Sequence, residues 1–218
     1  MKRSGRDIQG LAFDPITQYL FFTDTKEKSI NWISLQPGSK NNVNGNLLIK
    51  MNEGIPTDIA VDSCRGYIYW INANLTTSTI ERARFDGSDR AVVINATHEM
   101  DLYSLALDQQ TKKIYWFMPE STTITFLYSA DLNGENKKIK VSYYRDNFIT
   151  HPNTLTVSKK NLFVMDWCLN CGSKSVWKYF ATSITIRNHY YYLDLVSTKG
   201  NVGIVANYEI AEQFEGIQ

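Results

Sequence analysis

Cysteine, proline, one-sided charge and long hydrophobic runs are all scarce in this sequence. Three cysteines, Cys64, Cys168 and Cys171, occur in 218 residues. An odd count with one isolated member is not a disulfide framework. Cys168 and Cys171 make a lone C-x-x-C. With no second such pair and with His98, His151 and His189 scattered, it completes no zinc set, and no βαβ pattern surrounds it as a thioredoxin-like redox pair requires. It reads as a loop-stapling disulfide or as two free thiols. Lys and Arg number 23 against 22 Asp and Glu, a net charge of +1. That balance excludes the electrostatic footprint of nucleic-acid binding and of attraction to anionic membrane. The longest apolar runs, such as Tyr19–Phe22 and Leu162–Met165, are strand-sized, far below the roughly 18 to 20 residues of a membrane-spanning helix. Met1–Asp7 is basic, but no apolar stretch follows it as in a signal peptide.

What the sequence has is aromatic residues and a period. Aromatics make up 13%, and 43% hydrophobic with 21% charged residues excludes wholesale disorder. Four segments repeat: Gly10–Asp14 with Tyr19–Asp24, Asp58–Asp62 with Tyr67–Asn72, Tyr103–Asp108 with Lys113–Met118, and Pro152–Val157 with Asn161–Asp166. Their aromatic positions fall at 21, 69, 115 and 163, spaced 48, 46 and 48 apart, and an Asp precedes the first three by seven residues each time. Each unit has a short alternating strand, a polar turn, an aromatic and β-branched strand, and a third strand running into Asp86-Gly87 or Asn133-Gly134. Such dipeptides supply the positive φ of a hairpin turn. A fourth strand, Arg90–Ile94 or Lys138–Val141, completes the unit.

Four strands per repeat predict an all-β fold, a β-propeller of four-stranded antiparallel blades. The blades span about 10–53, 54–99, 100–149 and 150–180, after an extension over 1–9 and before an irregular tail over 181–218. The aromatic strand lies between sheets, so Tyr69, Trp70, Tyr115 and Trp116 are core rather than a ligand cage. Asp14, Asp24, Asp62 and Asp86 recur with the repeat. Recurrence marks a structural task, because catalysis needs one site and not one per blade.

The aromatic strand with its preceding Leu-Ala-x-Asp turn, and Ile80–Ser88 after it, resemble the low-density-lipoprotein receptor class B (YWTD) repeat. Asp62–Trp70 and Gly203–Tyr208 are further similar to the insect cueball-type glycoproteins. The resemblance implies six-bladed propellers in extracellular or lumenal chains, often followed by epidermal-growth-factor-like modules. It implies that the motif's Thr and Asp bond between blades while the aromatics fill the interface. The motif positions here are Phe21, Phe22, Thr23, Asp24, Tyr69, Trp70, Asn72, Tyr115, Trp116, Phe163 and Asp166. Phe117-Met118 lacks both polar members, so polar bonding is expected to be weaker at the third unit, with apolar contact in its place. Four recognisable units where six are expected make the chain read as part of a longer protein without its leader, about two blades and its membrane anchor.

The function expected from this is non-catalytic: an extracellular protein-binding propeller module of a single-pass, receptor-like membrane glycoprotein, with no cofactor, no metal and no catalytic residue. The cueball-type resemblance adds a link to germ-cell development. The partner is a protein ligand of unknown identity; nucleic acid is not expected, and membrane only through an anchor. Sequons at Asn74 and Asn95 fall in turns by the repeat grammar. Trp32, Trp177, Arg187 and Tyr190 lie outside the repeated aromatic strand and form the candidate ligand face, against the plainer reading that they pack blade edges. Two alternatives stand beside this: a calcium-dependent propeller hydrolase or lactonase, and an intracellular propeller scaffold. No Gly-rich phosphate loop, G-x-S-x-G elbow or H-E-x-x-H appears.

Overall fold

A computed structural model describes residues 5–42, 45–74, 77–96, 102–121, 124–144, 151–158, 161–167, 174–180 and 190–192. Its strands are β1 Ile8–Asp14, β2 Tyr19–Asp24, β3 Ser29–Ser34 and β4 Asn46–Lys50, then β5 Ile55–Asp62, β6 Tyr67–Ala73, β7 Ser78–Arg84 and β8 Ala91–Ala96. They continue as β9 Tyr103–Asp108, β10 Lys113–Pro119, β11 Ile124–Asp131 and β12 Lys138–Tyr144, then β13 His151–Ser158, β14 Asn161–Trp167, β15 Lys174–Phe180 and β16 Tyr190–Tyr192. Each group of four consecutive strands forms one antiparallel sheet in chain order, the up-and-down meander of a propeller blade. No helix occurs among the described residues. The fourth sheet takes its outermost strand from Tyr190–Tyr192, beyond the boundary at 180 that the repeat alone sets. Two compact units result, Met1–Tyr103 with Leu132–Gly134, and Ser104–Asp131 with Glu135–Gln218.

The repeated Asp closes the first hairpin of the first and third blades through its side chain. In the β1–β2 turn one Asp14 carboxylate oxygen accepts the Thr17 amide at 2.7 Å and the Thr17 hydroxyl at 2.5 Å. In the β9–β10 turn Asp108 accepts the Gln110 and Thr111 amides at 3.0 and 3.2 Å and the Thr111 hydroxyl at 2.6 Å. Four residues past each Asp the backbone is left-handed, at Gln18, Gly66 and Lys112 (φ 57°, 68° and 57°). Gly87 and Gly134 hold φ of 83° and 90° in the later hairpins, as Asp-Gly and Asn-Gly turns require.

Asp14 also carries a pH dependence. Burial opposes its ionisation, but hydrogen bonds from Ser63, from the Thr17 side chain and amide and from the Ile16 amide outweigh that and hold its carboxyl below its ordinary value. A carboxyl lowered in the folded state contributes stability above its unfolded pKa and loses it as pH falls through the folded one. The gap in stability between the wild type and Asp14→Asn should therefore be full at neutral pH and shrink below about pH 4. Thermal melts of both proteins across pH 2.5–7 check this; a gap of constant size down to the acid end would dismiss it.

In the first unit the core joins two sheets. Phe21, Ile30, Ile49, Met51, Ile59, Val61, Ile68, Trp70 and Ala83 form one buried cluster, with Tyr19, Trp32 and Phe85 packed against it. Strand alternation accounts for this: β1 turns Gly10 and Asp14 toward β5 and leaves Leu11 and Phe13 on its other face, 55% and 48% exposed. At the matching places of β5, Ile59 and Val61 are 3% and 9% exposed, because the first sheet covers them. In the second unit Ile114, Tyr115, Trp116, Phe117, Leu127 and Val164 are buried.

One polar clasp ties the first two sheets. The Thr23 hydroxyl accepts the Gly10 amide and donates to the Thr57 carbonyl, both at 2.8 Å. A Cβ at Gly10 would stand 2.8 Å from that carbonyl oxygen and 3.0 Å from Asp58 Cα and Ile59 N, so the close approach of the strands requires glycine. Asp24 behaves differently from the role the class B resemblance implies. It accepts the Glu27 amide at 3.0 Å and pairs with Arg6 at 3.6 Å, closing its own hairpin rather than joining sheets. Asn72 likewise donates within its sheet to Glu81, at 2.8 Å, and to the Glu53 carbonyl.

At the third repeat, where polar bonding is expected to be weaker, one bond still joins two sheets. Phe117 and Met118 are buried and apolar, yet the Leu155 amide donates to the Ser104 hydroxyl at 2.8 Å in a buried position. Ser104, at φ 53°, occupies the repeat place of Gly10. The hydroxyl has moved from the second strand of the blade to the first, which a motif confined to the second strand does not reveal.

Candidate interaction surface

Of the expected ligand face, Trp32 is the one residue whose side chain is described. Trp32 is partly buried, stacks on Tyr19 with centroids 4.5 Å apart, and packs on the first core; it is a blade-packing residue. Trp177 and Tyr190 lie opposite one another on β15 and β16, their side chains outside the described residues, as Arg187 is altogether. Cys168 and Cys171 also fall outside; Cys64 is free and exposed. Asn74 is exposed just after β6. Asn95 is exposed too, but it sits inside β8 opposite Thr79, not in a turn. The repeat grammar places it in a turn, and the outermost strand instead runs on to Ala96. The aromatic positions Phe21, Tyr69, Trp70, Tyr115 and Trp116 are at most 2% exposed. Among the described residues no three His, Cys, Asp or Glu side chains gather as a metal ligand set.

Cations over aromatic rings sort into two kinds. The first covers the ring at one repeat place, though from different segments: Arg6 lies 5.5 Å from the Phe22 centroid, Arg90 5.5 Å from Trp70, and Lys137 5.9 Å from Trp116 and 4.4 Å from Tyr128. Trp70 and Trp116 each keep a buried indole N–H with no hydrogen-bond partner, and the covering cation seals the ring from solvent. Arg90 is itself fixed by Glu81 at 2.8 Å. Burial pushes the Lys137 ammonium below its ordinary value, against the pull of Glu120. Three blades sharing one device is a structural solution.

The second kind occurs once. Tyr67 and Tyr69 on β6 stand directly opposite Arg84 and Arg82 on β7, so all four share a sheet face. The Arg84 and Arg82 guanidinium carbons lie 4.9 and 5.3 Å from the Tyr67 ring centroid. The Tyr67 hydroxyl donates to Asp89 at 2.5 Å, which fixes the ring. That bond, with burial, raises the hydroxyl above its ordinary pKa while Arg84 and Arg82 pull the other way. Arg82 also bonds the Tyr69 hydroxyl, whose pKa burial raises. Arg65 pairs with the buried Asp62 at 3.7 Å. Neither Arg82 nor Arg84 is in any ion pair among the described residues, and Arg82 Nε is buried without a hydrogen-bond partner.

Two guanidinium groups over one ring lie within about 10 Å of each other. Their repulsion is then at least about 0.4 kcal/mol in water and about 1.7 kcal/mol at the effective dielectric of a protein surface. Cation–π attraction, about 0.5–1 kcal/mol at an exposed site, offsets it. The corresponding places elsewhere avoid the conflict. The first sheet has Trp32 and Ser34 there, with Trp32 stacked on Tyr19, and the third has Ser129 and Asp131, with Asp131 paired to Lys113 at 2.5 Å. The sequence signal was available, as arginines two apart on a strand, but it stood inside the Ile80–Ser88 run and was absorbed by the repeat.

No protein-family model matches the chain. Protein cueball of Drosophila yakuba is 32% identical over 138 residues, 63% of this chain and 21% of that protein. The chain thus spans about a fifth of the length of the curated relatives it matches. A chain in the crystal structure of a nidogen/laminin complex superposes with a TM-score of 0.58 at 22% identity, covering 81% of this chain and 76% of that one. A gluconolactonase from Xanthomonas campestris superposes with a TM-score of 0.55 at 16% identity, over 80% and 58%. At such identities the structural likeness shows the fold, a β-propeller.

Proposed function

We propose that this chain is a non-catalytic, protein-binding propeller module of class B (YWTD) type, carried on the extracellular side of a receptor-like membrane glycoprotein. The observation that carries the reading is the match to Protein cueball over 138 residues of the chain; the nidogen/laminin likeness agrees with it at the level of fold. The exposed Asn74 and Asn95 are acceptors suited to that compartment. The cueball similarity extends the proposal to a role in germ-cell development. A second reading, a lactonase, has the gluconolactonase neighbour in its favour.

Immunoblots of membrane and soluble fractions, with and without glycosidase, separate these readings. The expected result is a membrane-bound, glycosidase-sensitive species well above 25.0 kDa, together with no calcium-dependent hydrolysis of small lactones by the purified chain. A soluble, glycosidase-insensitive species of the chain's own mass, or calcium-dependent turnover, would overturn the proposal.

A further inference from the structure

We infer that an N-linked glycan on Asn95 guards the outer edge of the second sheet against strand-to-strand association. The inference deepens the extracellular glycoprotein reading and rests on it. Among the described residues the outermost strand β8 pairs with β7 alone, and an unpaired edge is a template for a strand of another molecule. Its sequence, Ala91-Val92-Val93-Ile94-Asn95-Ala96, has no charge, proline or glycine, which is the composition of a self-pairing segment. Val92 stands 58% exposed on it. Arg90, the residue before, is engaged by Trp70 and Glu81.

The other edges show what β8 lacks. Leu47 and Ile139, at the repeat place of Val92, are 60% and 48% exposed. On β12, Lys138 and Lys140 flank Ile139, and β4 ends on Lys50, whose side chain is 54% exposed. Lysines protect an edge because an incoming strand would have to bring like charges together or bury them. Asn95 holds the place of Lys50. It lies opposite Thr79, one residue beyond the Ile80–Ile94 pair, as Lys50 lies opposite Ser29, one residue beyond Ile30–Ile49. Where the first sheet has an ammonium, the second thus has the exposed Asn95 of an Asn-Ala-Thr sequon. Gly134 stands so close to the Val93 carbonyl that a Cβ would overlap it. That turn covers the edge at its bulge and leaves an incoming strand the stretch past it, in which Asn95 is the middle residue of Ile94–Ala96. On glycosylation Asn95 Nδ2 bonds to the anomeric carbon of a lipid-linked oligosaccharide, the anomeric bond to the diphosphate breaks, and Nδ2 gives up one proton. The sugar is bulky and hydrated, and does by exclusion what Lys50 does by charge.

The test secretes the 218-residue chain from cultured insect cells behind a cleavable signal peptide and reads the sugar on Asn95 by peptide mass spectrometry. Occupancy of Asn95 is expected. Thioflavin T then follows strand-to-strand association, and Asn95→Gln should shorten the lag roughly threefold or more. Thr97→Ala, which removes the sequon and leaves β8 unaltered, should do the same. Asn95→Lys should restore the lag without any sugar, and Asn74→Gln should leave it unchanged. Thermal melts establish that each variant is folded; should Asn95→Gln not fold, Thr97→Ala carries the comparison. A secreted chain without sugar on Asn95, loss of the sequon with no shorter lag than Asn74→Gln, or an Asn95→Lys lag as short as that of Asn95→Gln would overturn the guard. The compartment of the endogenous protein is read separately by fractionation. A membrane-bound glycoprotein whose lag is indifferent to Asn95 would sink the guard and leave the module reading standing.

Discussion

Replacing Thr23 by valine should cost the first unit about 2–3 kcal/mol with no change of shape. Valine matches threonine in volume but has no hydroxyl, so packing around position 23 is retained while two hydrogen bonds vanish. The Gly10 amide and the Thr57 carbonyl, each 2.8 Å from the hydroxyl, are then left without it between two packed sheets. A buried polar group stripped of its partner costs about 1–3 kcal/mol. Serine keeps the hydroxyl and gives up only a methyl group, about 1 kcal/mol. Gly10→Ala strikes the same junction from the other side, since its Cβ would meet only backbone atoms of Thr57, Asp58 and Ile59. Two changes at one contact should not add: Gly10→Ala combined with Thr23→Val is expected to fall short of the sum. Urea midpoints at unchanged slope read all four proteins. Valine as stable as threonine, or serine as damaging as valine, would show that the clasp does not hold the sheets together.

What the sequence makes legible follows from what a repeat preserves. The seven-residue step from Asp to aromatic survives because Asp14 and Asp108 accept turn amides and hydroxyls within four residues of themselves. The burial of Phe21, Tyr69 and Trp116 follows from alternation in a strand covered on both faces. Interactions that jump between strands are harder to read. The outermost strands carry a bulge at one register place in three sheets, between the partners of Ile30 and Asn31, of Ile80 and Glu81, and of Leu127 and Tyr128. A bulge adds a residue on one strand only. The kinship of Arg90 with Lys137 over their tryptophans therefore emerges from the register and not from counting. Ser104 taking over a hydroxyl role from the second strand is hidden for the same reason. The left-handed Gln18 and Lys112 carry no glycine to announce them.

The largest contrast is expected between residues that the repeat makes equivalent. Ile59→Ala should cost about 2–4 kcal/mol, the usual range for emptying a closed core site, because Phe21, Trp70 and Met51 surround it. Leu11→Ala, at the same place one blade earlier, should cost under about 0.5 kcal/mol, since that side chain stands 55% exposed. Val61 and Phe13 repeat the comparison at 9% and 48% exposed. Alternation and repeat place are identical within each pair, so intrinsic strand preference does not account for such a difference. It measures only what a packed neighbouring sheet contributes. Changing Leu11 and Phe13 together to serine should lower light scattering in concentrated solution, because Ile8, Leu11, Phe13 and Ile16 are all exposed apolar side chains around β1. The urea midpoint should stay within about 0.5 kcal/mol of the wild type. A cost at Leu11 equal to that at Ile59 would mean that the first sheet has both faces covered in solution, and that its burial has to be counted as an interface.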